Sequence, residues 1–72
     1  MDNKFKAQLT DMLTASAKAE KSKALLTLEL LANHPAGIGD HSTDDFYKNA
    51  EEALEALADA DDKLEAIQKY LI

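Results

Sequence analysis

Seventy-two residues without cysteine make at most one domain and exclude disulfides and thiolate zinc sites. Fourteen Asp plus Glu against eight Lys give a net charge of -6, which repels phosphates and anionic membranes and so disfavours direct binding of nucleic acid or a membrane surface. The start, MDNKFKAQL, has no apolar leader core, and the longest greasy stretch, ALLTLELLA at 24–32, is short and carries Glu29, so neither export nor a membrane span is expected and the compartment reads as cytoplasmic.

The first predicted element is a helix over about 3–32. Residues 1–34 lack Gly and Pro and are rich in Ala, Leu, Lys and Gln, all good helix formers. Phe5, Leu9, Met12 and Leu13 start an apolar face, TASAKAEKSKA continues it with small residues, and Leu25, Leu26, Leu28, Leu30 and Leu31 finish it. The small middle predicts close approach of a neighbouring helix. Glu29, between two leucines, is expected on the polar side, because adjacent helical residues point in different directions. Asn33 suits the left-handed conformation that ends a helix, and Pro35 prevents continuation.

A loop follows over 33–42, NHPAGIGDHS, about ten residues and longer than the usual helix-to-helix turn of roughly two to eight. Pro35, Gly37 and Gly39 make one unbroken helix through it very costly, which sets aside a continuous coiled coil.

The second helix, over about 43–71, carries the clearest pattern. Phe46, Ala50, Ala53, Leu57, Ala60, Leu64, Ile67 and Leu71 recur at alternating spacings of four and three, a sustained heptad. Tyr47 and Leu54 are expected to widen this stripe, and Lys48, Glu51, Glu52, Glu55, Asp59, Asp62 and Glu65 to lie off it. Ser42 is placed to cap the helix, with Asp44 and Asp45 in the first turn against the positive end of its dipole and Lys69 near the other end.

Two helices of similar length, about 45 Å each at 1.5 Å per residue, predict an all-α fold: one antiparallel two-helix hairpin domain over residues 1–72. A lone hairpin buries too little apolar surface to offset the entropy of ordering its chain, so self-association is expected, with a dimer forming a four-helix bundle. Charge is divided: residues 1–32 hold five Lys and four acids, residues 33–72 three Lys and ten acids, so the two halves attract.

Candidate chemistry clusters only in the loop. His34, Asp40 and His41 supply imidazole and carboxylate, a plausible transition-metal set, although their spacing matches no established ligand signature and helix capping is the plainer reading. The GIG element could cradle a phosphate at the second helix, but Asp40, Asp44 and Asp45 already load that end with negative charge. Asp40, His41 and Ser42 are adjacent and cannot form a catalytic triad. The DADDKLE run lacks calcium-loop ligands at Lys63 and Tyr70 and the required glycine at Leu64. Tyr47 and Tyr70 read as packed aromatics with a wet hydroxyl.

The stretch LELLANHPAGIGDHSTDDFYKNAEEALEALADADDKLEAIQKY is similar to small proteins of T4-like marine bacteriophages. The likeness lies within residues 25–70, centred on Asn33 to Ser42 and the acidic helix after them, and leaves residues 1 to about 24 outside. It implies a phage or marine origin, with the host cytoplasm as compartment, and it implies no activity, cofactor or catalytic residue.

No enzyme and no cofactor are therefore expected. The leading expectation is a helical interaction or structural module that pairs with itself and docks on an unidentified protein partner. Two alternatives remain: an acidic mimic of DNA that occupies a basic groove, and a metal or small-ligand binder acting through His34, Asp40 and His41. Fold alone does not choose among them.

Overall fold

The computed structural model describes residues 3–33 and 43–72, and it is an all-α hairpin. Helix α1 spans Asn3–Asn33 and helix α2 spans Thr43–Tyr70, the ends expected from the sequence to within a residue. Asn33 is the last helical residue of α1. The Leu71 N–H still donates to Ile67 O at 2.8 Å, so helical hydrogen bonding runs one residue past Tyr70. Asp44 and Asp45 occupy the first turn of α2 and Lys69 its last, each complementing the dipole.

The helices run antiparallel. Leu13 shares a groove wall with Ile67 near one end, Glu20 meets Lys63 midway, and Leu31 lies beside Asn49 and Ala53 near the other. On α2 the heptad is the seam: Ala53, Ala60 and Ile67 are buried, and Phe46, Ala50, Leu57, Leu64 and Leu71 are half-buried. The charged residues expected off the stripe are exposed, and so is Glu29 on α1.

On α1 the seam is not the greasiest face. Ala17, Ala24 and Leu31 are buried, flanked by half-buried Thr10, Leu13, Thr14, Glu20, Lys21, Thr27 and Leu28. Phe5, Leu9, Met12, Leu25, Leu26 and Leu30, expected to form the packed face, are exposed, which corrects that reading. The reason is steric. Small residues on both helices, with Ala17 beside Ile67 and Ala53 beside Leu31, let the helices close until Ala60 is wholly covered, at 0% exposure. Thr10, Thr14 and Thr27 fit this polar-tolerant seam because each hydroxyl donates to the carbonyl four residues back, Lys6, Thr10 and Lys23, at 2.8–2.9 Å.

Tyr47 and Leu54 do not widen the α2 stripe: they are 58% and 59% exposed. Tyr70, at 70% exposure, is not packed either. Phe46 meets the edge of Tyr47 with ring centroids 5.9 Å apart, and Lys69 Nζ lies 5.3 Å from the Tyr70 ring centre. No described side chain larger than alanine is fully buried. The radius of gyration is 16.3 Å, against about 11 Å for a compact chain of this length, so the hairpin is two helices thick and no more.

Candidate functional site

Two ion pairs brace the middle of the hairpin from opposite sides. Lys21 Nζ lies 2.9 Å from Asp61 Oδ1, and Lys63 Nζ 2.9 Å from Glu20 Oε2, so each helix gives one cation and one carboxylate. The Lys63–Glu20 contact is also a hydrogen bond, and that bond, followed by the carboxylate charge, raises the Lys63 pKa above its ordinary value. Both pairs are well exposed to solvent, so they set register more than they stabilise.

The Glu20–Lys63 pair divides one side of the hairpin into two open grooves, because both residues line both. The larger, about 490 Å³, is lined by Ala24, Ala53 and Ala56 together with Lys23, Glu52 and Asp59. The smaller, about 330 Å³, is bounded by Leu13, Ser16, Ala66 and Ile67. Glu20, Lys23, Glu52, Asp59 and Lys63 give the larger groove a surface of mixed charge.

Beside the grooves, along α1, runs a stripe of exposed apolar side chains. Phe5, Leu9, Met12, Leu26 and Leu30 are between 48% and 63% exposed and follow spacings of four and three once Ser16, Ala19 and Lys23 fill the gap. This second heptad stripe lies roughly a third of a turn around α1 from the seam at 3.6 residues per turn. It borders the grooves through Ser16 and Lys23. Hydrophobicity alone assigns such residues to a core; the sequence signal for a surface is that α1 carries more large apolar positions than one seam can bury.

The metal candidates His34, Asp40 and His41 lie outside the described residues, as does the expected Ser42 cap. Among the described residues no three His, Cys, Asp or Glu side chains are grouped to hold a metal ion, and no helix is long and apolar enough to cross a membrane. No protein-family model matches the chain, and neither does any curated protein or solved structure, so nothing in these comparisons bears on the phage resemblance.

Proposed function

We propose that this protein is a helical interaction module, not an enzyme, and that it acts through protein–protein contacts on the outer face of α1. The observation that carries this reading is the exposed stripe of Phe5, Leu9, Met12, Leu26 and Leu30. Monomeric proteins seldom leave large apolar side chains aligned along one element, and such a face, rimmed by polar groups, marks a binding surface. Helix-on-helix docking reads anchors at this spacing.

Proximity labelling in cells, comparing the wild-type chain with a Leu9→Glu/Leu26→Glu variant, tests the reading. Contacts with itself or another protein that disappear in the variant support it. Identical labelling by both chains would remove the stripe from any role in interaction.

The outer face of α2 favours a second reading. Glu51, Glu52, Glu55, Asp59, Asp62 and Glu65 are all exposed along one helix, an arrangement able to imitate a run of phosphates and fill a basic groove on a nucleic-acid-binding protein. Competition with labelled duplex DNA for such proteins tests it, and undiminished DNA binding in excess of this chain counts against it.

A further inference from the structure

The α1 stripe is not only apolar; it is self-complementary. We infer that its occupant is a second copy of this chain, docked antiparallel on α1 about a two-fold axis passing between Ala17 and Lys18, a conclusion that rests on the interaction reading above and names its partner.

Residue order carries the argument. Turning one α1 end for end about that point sets Phe5 against the partner's Leu30, Leu9 against the partner's Leu26, Met12 against the partner's Lys23 and Ser16 against the partner's Ala19. Large side chains meet large ones at both ends, and the two small residues fall together at the centre, where the helices come closest. Each pair occurs twice, as a two-fold contact requires. The single charge on the stripe, Lys23, lies over the partner's Met12, which accepts the aliphatic stem while the ammonium reaches solvent. A parallel in-register pair would instead stack Lys23 on its own copy and align the two helix dipoles.

Area and charge point the same way. The chain exposes 5683 Å². A compact monomer of 7.9 kDa would expose about 4,400 Å². The surplus, about 1,300 Å² by that scaling, exceeds the roughly 800 Å² that each partner contributes to a standard interface. Pairing through α2 would oppose two helices that each hold nine acids and three Lys, whereas α1 holds three acids and five Lys and its stripe is nearly neutral. The resulting assembly has four helices, the two α1 in the middle and the acidic α2 helices kept apart on the outside.

The test uses the absence of native cysteine. Two full-length variants, Ser16→Cys/Ala19→Cys and Leu9→Cys, are equilibrated in a glutathione redox buffer, and wild-type mass is measured by light scattering over micromolar to millimolar concentration. The expected result is a wild-type dimer, a covalent dimer of the double variant, and no cross-link for Leu9→Cys, whose copies lie far apart in the antiparallel arrangement. Leu9→Glu/Leu26→Glu should weaken the dimer by more than about a hundredfold, since four buried leucines are lost per dimer. If that variant loses its helix as well, the cysteine pattern decides. A wild-type monomer throughout, or a cross-link through Leu9→Cys instead of the double variant, overturns the inference. A monomer whose labelling of other proteins still depends on the stripe would retain the interaction reading and discard only the partner named here; a monomer with no stripe-dependent contact would discard both.

Discussion

Lys63 Nζ stands 2.9 Å from Glu20 Oε2 across the hairpin, a contact seated beside a seam of alanines in which Ala17, Ala24 and Ala60 are almost wholly covered. The ion pair spans the two helices beside these small side chains and favours the register in which Ala60 is covered.

Alanine is therefore a requirement at the seam and not a default. Ala60→Leu inserts three carbons where no space exists and is expected to cost about 1–3 kcal/mol, read as a lower urea midpoint with an unchanged slope. A gain in stability would mean that the seam is loose and the steric account wrong.

Neighbouring leucines at the end of α1 should behave differently. Leu31 is buried on the seam, and Leu31→Ala is expected to cost about 2–5 kcal/mol, enough to unfold much of so small a domain. Leu30, 52% exposed on the outer stripe, should when changed to Ala leave the hairpin helical and weaken its association. Circular dichroism with light scattering separates the two effects, and equal helix loss in both variants would contradict the assigned faces.

The Lys63–Glu20 bond makes a stability contribution with a defined sign. Because the folded state raises the Lys63 pKa above 10.5, the contribution is complete below the unfolded lysine range and disappears as pH rises through the raised value. The wild-type melting temperature should exceed that of Lys63→Met at neutral pH, with the gap closing above pH 10.5. Both side chains are solvent-exposed, so high salt should narrow the same gap at neutral pH. A gap indifferent to both pH and salt would assign the effect of Lys63 to its aliphatic stem.

A metal role for the loop is tested by melting the protein with chelator and with added zinc. Added zinc is the informative arm. A rise in melting temperature that is lost in His34→Ala and His41→Ala would make the loop a metal site after all, with Asp40 as the natural third ligand.

The α2 seam was legible in its heptad positions, though not in Tyr47 and Leu54, which stay exposed beside it. Phe46 to Leu71 form one uninterrupted 4-3 series with every charge off it, so a single face could be buried and the choice was forced. Helix ends were legible too, since Asp44, Asp45, Lys69 and the Pro and Gly residues between the helices are local signals that act within a turn or two. The alanine-rich middle of α1 correctly announced close approach.

What the residues of α1 could not settle by themselves was which side faces inward, because the helix carries two stripes. Phe5, Leu9, Met12, Leu26 and Leu30 are the more hydrophobic set, and Ala17, Ala24, Leu28 and Leu31, interspersed with Thr10, Thr14 and Lys21, are the smaller and more polar one. Hydrophobicity, a property of one helix, favours the first; only the tertiary structure chose the second. Fit to α2 decided it: small residues on both seams, with Ala17 by Ile67 and Ala53 by Leu31, for closeness, and Lys21 and Glu20 within 2.9 Å of Asp61 and Lys63 for register. Packing is a property of two surfaces, and a single helix holds only one of them.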